Sequence, residues 1–128
     1  MPLTDPIGDL ITRMRNAQHG GRSDCRAQWS KIKQAICDLM KQQGYLETVT
    51  VEGEEAKKEL VVTFRTDRPA LLLKRISTPG GRKYVGSGDI RSHLHGSSMA
   101  ILSTSTGLVT HKEARLKNIG GEILCTVS

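Results

Sequence analysis

Aromatic side chains are scarce in this sequence. They account for 3% of its residues, as one Trp, two Tyr and one Phe. RNA-recognition motifs and single-strand binders stack successive bases on several aromatic rings of one sheet. The rings of this chain are scattered, so a base-stacking platform is not expected; they belong to Trp29, Tyr45, Phe64 and Tyr84.

Long apolar runs are also missing. A helix that spans a bilayer needs about 20 mostly apolar residues in succession, and the sequence has no such run. The opening residues, MPLTDPIGDL, lack the basic segment followed by an apolar one that a secretory signal requires. The sequence therefore predicts a cytoplasmic protein with no membrane partner.

Cysteines are few and widely spaced. The chain has three, Cys25, Cys37 and Cys125, and neither a paired disulfide framework nor a CxxC metal knuckle can be built from that spacing. We expect them to be small buried hydrophobic residues in a reducing cytosol. No metal or other cofactor is expected.

Positive charge is concentrated in the second half of the chain. Residues 1–64 contain nine Lys or Arg and nine Asp or Glu, whereas residues 65–128 contain ten against four, which accounts for the whole net charge of +6. A one-sided basic excess favours a polyanionic partner, because neutralised phosphates release condensed counterions. A solvated basic surface kept for solubility is the alternative.

The first half has the pattern of two helices and a short sheet. Asp5 and Pro6 are typical of a helix start, and apolar residues follow at helical spacing from Ile7 to Met14. Residues 23–29 predict a short strand. Ser30 opens a second helix that ends before Gly44, with a predicted buried face of Ile32, Ala35, Ile36, Leu39 and Met40. Residues 45–51 and 60–65 predict a hairpin around an acidic turn.

The second half has the pattern of short strands with small helices. Strands are predicted at 70–76, 83–85, 99–104, 108–109 and 122–127, and helices near 89–95 and from 111 to 117. Thr110 and Glu113 have the spacing of a capping box. The sequence predicts an α+β fold of two small domains: an N-terminal α/β domain over 1–66, with two helices on a short sheet, and a mostly β C-terminal domain over 67–128.

A run of hydroxyl groups ends at a glycine after one of these strands. Short hydroxyls donate and accept hydrogen bonds, which suits ribose 2′-OH groups and base edges in the shallow groove of double-stranded RNA. A hydrophilic hairpin turn is the structural alternative. The candidate groove readers are Ser103, Thr104, Ser105, Thr106 and Gly107, and the candidate phosphate contacts are Arg82, Lys83, Lys112, Arg115 and Lys117.

Two other functions remain open from the residues alone. One is a generic basic nucleic-acid-binding module. The other is a Ser/His hydrolase, because residues 96–100 (GSSMA) come close to a nucleophile elbow and His93, His95 and His111 lie near it in sequence. An elbow joins a strand to a following helix, whereas this serine precedes a strand, which disfavours an enzyme.

Read as a whole, the sequence resembles bacterial small-subunit ribosomal protein eight. Three segments carry the resemblance: Asp5-Pro6-Ile7 through Arg13, Arg15, Asn16 and Ala17; Lys74-Arg75-Ile76-Ser77 with Pro79, Gly80 and Tyr84; and Ala100 through Ser105 with Gly107, Gly120, Gly121 and Glu122. Their order and spacing make the match specific.

The resemblance implies a non-enzymatic structural protein of the small ribosomal subunit. Members bind the central domain of the ribosomal RNA, touch neighbouring ribosomal proteins, and in some cases repress their own operon through a similar messenger-RNA stem. The free protein is expected to be a monomer. The resemblance adds Tyr84 to the main RNA surface, and it implies a secondary RNA surface of Thr4, Asp5, Arg13, Arg15, Asn16 and Lys31.

Overall fold

The chain folds into two compact units. A computed structural model describes residues 5–89 and 98–128. One unit is Pro6–Leu71, and the other is Leu72–Ser128 together with Asp5. The described residues form three α-helices and two antiparallel sheets, which confirms the predicted α+β class. None of these helices is long and apolar enough to cross a membrane.

Two helices cover one side of a three-stranded sheet in the unit Pro6–Leu71. The strand order is β1-β3-β2, and both pairs are antiparallel. The apolar stripe predicted for the first helix is buried, and the hairpin forms where its β-branched residues predict it. The elements are α1 (Pro6–His19), β1 (Asp24–Gln28), α2 (Lys31–Gln42), β2 (Leu46–Glu52), a 3-10 turn (Glu55–Lys57) and β3 (Glu59–Phe64).

Helix α2 has the predicted ends but a partly different buried face. The Ser30 side chain accepts a hydrogen bond from the Lys33 N–H, and Gly44 has a φ of 83°, as a left-handed C-cap requires. Ile32 and Ala35, predicted to be buried, are only half-buried. Their places are taken by Cys37 and by Lys33, whose ammonium binds the Asp9 carboxylate at 2.7 Å.

The second unit is built around one central strand. The order along its sheet is β4-β8-β6-β7, and β5 pairs with β8 as well. The strand predicted at 70–76 is shorter than expected, although Leu72 and Ser128 extend it by exchanging backbone hydrogen bonds of 3.0 and 3.1 Å. The elements are β4 (Leu73–Arg75), β5 (Tyr84–Val85), β6 (Met99–Thr104), β7 (Gly107–Thr110), α3 (His111–Leu116) and β8 (Gly121–Val127).

A small apolar core fixes α3 against this sheet. Its buried members are Ala100, Leu102, Val109, Ala114 and Ile123. Thr110 caps α3 by accepting the Glu113 N–H at 3.2 Å, which agrees with the predicted capping spacing. The helix predicted near 89–95 lies outside the described residues apart from its first position.

Candidate nucleic-acid interface

The hydroxyl run lies at the turn between β6 and β7. Thr104 and Gly107 are the last paired residues of the hairpin, and Gly107 has a φ of 110°, which favours glycine. The Thr104 hydroxyl donates to the Gly107 carbonyl at 2.8 Å and accepts the Thr106 N–H at 3.2 Å. It also lies 3.0 Å from the Thr106 hydroxyl. These three contacts close the turn.

The hydroxyls of this run are therefore not equivalent. The RNA contact of Thr104 stays a prediction, and its hydroxyl also takes part in the turn. Ser103 is half-buried, whereas Ser105 and Thr106 are exposed at the tip. Within residues 5–89 and 98–128, the Ser105 side chain makes no hydrogen bond, so it is the hydroxyl most available to a ligand.

The sheet places Tyr84 and Ser103 on one face. Glu122 of β8 pairs with Tyr84 on one side and with Ser103 on the other. Directly opposite residues of antiparallel strands point to the same face, and neighbouring strands lie about 4.8 Å apart. The Tyr84 side chain is 71% exposed. The exposed Tyr84 ring and the end of β6 that carries Ser103 thus lie on either side of the Glu122 carboxylate.

Glu122 is held by hydrogen bonds from the loop that precedes β5. The buried Ser77 hydroxyl donates to its carboxylate and accepts the Lys83 N–H at 3.2 Å. The Arg82 guanidinium donates to the same carboxylate at 3.0 Å. Burial alone would raise the pKa of Glu122, but the hydrogen bonds from Ser77 and Arg82 bring it below its ordinary value.

A bulge in β8 also holds the loop that precedes β5. The register between β6 and β8 shifts at Leu124. Ile101 of β6 lies opposite Cys125, but the next residue, Leu102, lies opposite Ile123. The Leu124 carbonyl accepts the N–H groups of Ile76 and Ser77, at 3.0 and 3.3 Å. Bulges of this kind re-aim a strand next to functional sites.

Arg75 fastens the start of the loop. Its Nε donates to the Ser77 carbonyl at 2.6 Å, and its Nη1 donates to the Asp5 carboxylate. The Arg75 side chain is largely buried, so Asp5 serves as its counter-ion inside this unit.

Two glycines bring strands close together beside the hydroxyl run. A Cβ at Gly121 would lie 2.3 Å from the Ser103 carbonyl oxygen, and one at Gly120 would lie 2.3 Å from that of Val85. Real Cβ atoms do not approach a backbone oxygen so closely. The glycines therefore set the spacing between β8 and its neighbours at the site.

Four of the five predicted phosphate contacts have no ion-pair partner among the described residues. Lys83, Lys112, Arg115 and Lys117 are exposed. The exception is Arg82, whose pKa is raised by its hydrogen bond to Glu122. An arginine already held by a carboxylate is less available to a phosphate than the cations of α3.

The secondary surface predicted from the resemblance falls in different places. Asp5 belongs to the unit Leu72–Ser128, where it binds Arg75. Arg13 pairs with Asp9 at 3.0 Å. Thr4 lies outside the described residues. The remaining members, all in the unit Pro6–Leu71, are exposed: Arg15, Asn16 and Lys31.

Comparison with known proteins decides the family. The family model described as ribosomal protein S8 matches residues 5–128. The chain belongs to the ribosomal protein S8 family. Proteins named small ribosomal subunit protein uS8 match it over its full length and theirs, with 40% identity in Bordetella avium, 41% in Thiobacillus denitrificans and 42% in Laribacter hongkongensis.

Membership of the ribosomal protein S8 family excludes the hydrolase interpretation. The chain is a structural protein and not an enzyme. His111, one of the histidines that suggested catalysis, is buried, and its Nδ1 accepts the Ala100 N–H at 3.1 Å. Its role is to join α3 to β6.

Three residues that support the site were not among the sequence candidates. Ser77, Glu122 and Gly121 position the loop and the strand that carry Tyr84 and Ser103. All three lie in segments that resemble the ribosomal protein S8 family, and that is the signal that could have identified them. Composition and periodicity cannot identify them, because each contacts a residue that is distant in sequence.

Proposed function

We propose that this chain is a structural constituent of the small ribosomal subunit that binds the central domain of the small-subunit ribosomal RNA and helps to organise the platform. The protein is then located in the cytoplasm, within that subunit and beside neighbouring ribosomal proteins. Family membership and the name of the relatives support this role. The observation that carries the RNA surface is the exposed hydroxyl tip, on a hairpin whose strand shares a face with an exposed tyrosine.

The contacts divide into two kinds. Ser105 and Thr106 at the tip read the shallow groove of an irregular RNA stem, and Ser103 and Gly107 let the backbone approach it. Tyr84 supplies an exposed ring with a hydroxyl group on the same face as Ser103. Cations supply contacts to phosphate, which position the protein without reading sequence; they are Lys83, Lys112, Arg115 and Lys117, with Arg82 in a weaker role.

Substitution of one hydroxyl tests the groove contact. Ser105→Ala is expected to weaken binding to the central-domain RNA by about 5- to 150-fold, that is 1–3 kcal/mol, with little change in salt dependence. Ser23→Ala, an exposed serine of the other unit, is the matched control and leaves affinity unchanged. Equal affinities of the two variants would reject the role of Ser105.

Substitution of one cation tests the phosphate contact. Lys112→Ala is expected to weaken binding to all RNAs alike and to flatten the plot of log affinity against log salt by about one unit. Lys41→Ala, an exposed lysine on α2, is the control. A loss confined to the specific stem would contradict the assignment.

Replacement of the 2′-OH groups separates RNA recognition from generic basic binding. The nucleotides that the protein protects in a footprinting experiment are first identified. A stem with 2′-deoxy sugars at those nucleotides is expected to bind much less tightly than the RNA stem, because the 2′-OH distinguishes RNA from DNA. Equal competition by duplex DNA would support the generic module instead. Binding to operon messenger RNA remains a prediction.

A further inference from the structure

Strand β1 forms a free edge of the sheet in the unit Pro6–Leu71. Among residues 5–89 and 98–128 it pairs only with β3, in the order β1-β3-β2. The Phe64 N–H donates to the Ser23 carbonyl at 2.9 Å, and the Trp29 N–H donates to the Lys58 carbonyl at 3.0 Å. Hydrogen-bonded and non-bonded pairs alternate in an antiparallel ladder. The main-chain groups of residues 24, 26 and 28 therefore point away from β3.

Most of these outward groups are unused. The Gln28 carbonyl accepts a hydrogen bond from the Lys33 ammonium at 3.1 Å, which confirms the outward direction. Within residues 5–89 and 98–128, no hydrogen bond reaches the other groups, which are the N–H and C=O of Asp24 and Arg26 and the N–H of Gln28. Such an edge is a template for a further strand.

A groove runs along this edge. One part is lined by Cys25 and Arg26, and an adjoining part by Arg26, Ala27 and Gln28. The first part includes residues of α1 and β1 but none of β3, which places it at the open edge of β1. The second part continues to the end of the β1–β3 pair, where Gln28 lies opposite Glu59. Both parts share Arg13 of α1 as a second wall.

The groove is basic, although the unit that contains it has no strong net charge. Arg13 and Arg26 lie on it but already pair with Asp9 and Glu52. Three further cations line it without an ion-pair partner among the described residues, namely Arg22, Lys57 and Lys58. The Lys58 ammonium also lies over the Trp29 ring, 4.8 Å from its centroid. The acidic residues on or beside it are Asp24 and Glu59. Charge complementarity therefore favours an acidic occupant.

We propose that this edge binds an extended acidic segment of another protein, which pairs with β1 as a fourth strand. A peptide main chain offers both donors and acceptors, as the open groups of Asp24 and Arg26 require. A site for phosphate groups alone, which only accept hydrogen bonds, would leave the carbonyls of Asp24 and Arg26 without a donor. The acidic side chains of the segment meet Arg22, Lys57 and Lys58. None of the groove residues belongs to the hydroxyl tip, although Arg13 and Asn16 are also members of the secondary RNA surface that the resemblance implies.

Amide hydrogen exchange of the full chain tests the pairing. The probe is an acetylated eight-residue peptide of alternating Glu and Val, added at low salt. Exchange at the amides of Asp24, Arg26 and Gln28 is expected to slow at least tenfold, whereas the amides of Cys25 and Ala27, already bonded to β3, remain unchanged. Uniform slowing, or none, at saturating peptide would overturn the proposal.

Modified probes test the two parts of the recognition without altering the protein. Two versions of the peptide are used, N-methylated on all Glu or on all Val, and at least one is expected to lose binding at least tenfold. A version with Lys in place of Glu is expected to bind at least tenfold more weakly. Equal binding of both methylated peptides and the parent would reject strand pairing.

A charge variant and an RNA probe complete the test. Arg22→Glu is expected to lower peptide affinity at least fivefold, whereas Lys41→Glu, the same charge change on α2, leaves it within twofold. Equal losses of peptide affinity in the two variants would show that the peptide responds only to the net charge of the protein, which would contradict binding at this groove. If hexauridylate protects the outward amides and the peptide does not, the groove is a phosphate site and the proposal fails.

Discussion

At the scale of single residues, neighbouring hydroxyls of similar chemistry have different tasks. The Thr104 hydroxyl closes the β6–β7 turn through its contacts with Thr106 and Gly107, and Ser105 leaves its hydroxyl in solvent. One residue of separation decides the difference, because Thr104 is the last paired residue of β6. A scan for RNA contacts should therefore measure stability as well as affinity at each position.

Loss of the Thr104 hydroxyl should affect folding. Thr104→Val keeps the shape of the side chain and removes the hydrogen bonds of the turn, so we expect the free energy of unfolding to fall by about 0.5–1.5 kcal/mol. Ser105→Ala should leave it unchanged. Urea denaturation measures both, and a larger effect at Ser105 would contradict the turn geometry.

His111 should make stability depend on pH. Burial and the nearby charges of Lys112 and Arg115 lower the pKa of His111 below its ordinary value. Below a pH of about 6.5 the unfolded chain takes up a proton at this side chain that the folded chain resists. The free energy of unfolding should therefore decrease as the pH falls from 6.5 toward the folded-state pKa.

A variant isolates this contribution. His111→Asn keeps an acceptor near the Ala100 N–H and does not titrate, so the free energy of unfolding should fall less steeply between pH 7 and 5. Identical pH profiles for the wild type and His111→Asn, measured by urea denaturation, would contradict the assignment.

At the scale of elements, the site depends on how closely β8 lies against its neighbours. Gly121→Ala would push a methyl group into the Ser103 carbonyl and leave 3.0 Å to the Thr104 Cγ2. We expect a loss of about 1–3 kcal/mol in unfolding free energy and weaker RNA binding, because Ser103 must move.

Gly80→Ala is the control for this prediction. A Cβ at Gly80 would have open space around it, so stability and RNA affinity should change little. Thermal denaturation and a gel-shift titration on both variants provide the comparison. An unchanged Gly121→Ala protein would show that β6 and β8 can separate without affecting the site.

Elements with local signals could be predicted, and those fixed by distant partners could not. Ser30 and Gly44 mark the ends of α2 through their own backbone chemistry, and both were identified. The burial of Lys33 depends on Asp9, 24 positions away, and no local pattern carries that information. The hydroxyl run was found in sequence, but the separate role of Thr104 appears only once the hairpin closes on Gly107.

At the scale of the whole molecule, the chain order and the compact units do not coincide. Asp5 belongs to the unit Leu72–Ser128, and the helix that begins at Pro6 belongs to the other. The predicted division of the chain, 1–66 and 67–128, assigned Asp5 to the first domain and remains a prediction. A fragment that begins at residue 67 lacks the counter-ion of Arg75.

The contact between Asp5 and Arg75 should therefore stabilise the unit Leu72–Ser128, although Asp5 lies far from the rest of that unit in sequence. Asp5→Ala leaves the largely buried Arg75 guanidinium without this carboxylate, and we expect a loss of about 1–3 kcal/mol, between the values for exposed and buried pairs. Hydrogen exchange at the amides of β4 and β8 locates the effect. Asp38→Ala, an exposed carboxylate on α2, is the control, and an equal effect would reject the pairing.

The bulge at Leu124 also determines what a change in the length of the C-terminal strand would do. Because the bulge adds one residue to β8, deleting Leu124 would leave Ile123 opposite Leu102 and Cys125 opposite Ile101 in a regular ladder. Glu122 and Ile123 would keep their faces, but the carbonyl that accepts the Ile76 and Ser77 N–H groups would be lost. A single-codon deletion at this point would therefore release the loop while the pairing of the strand survives.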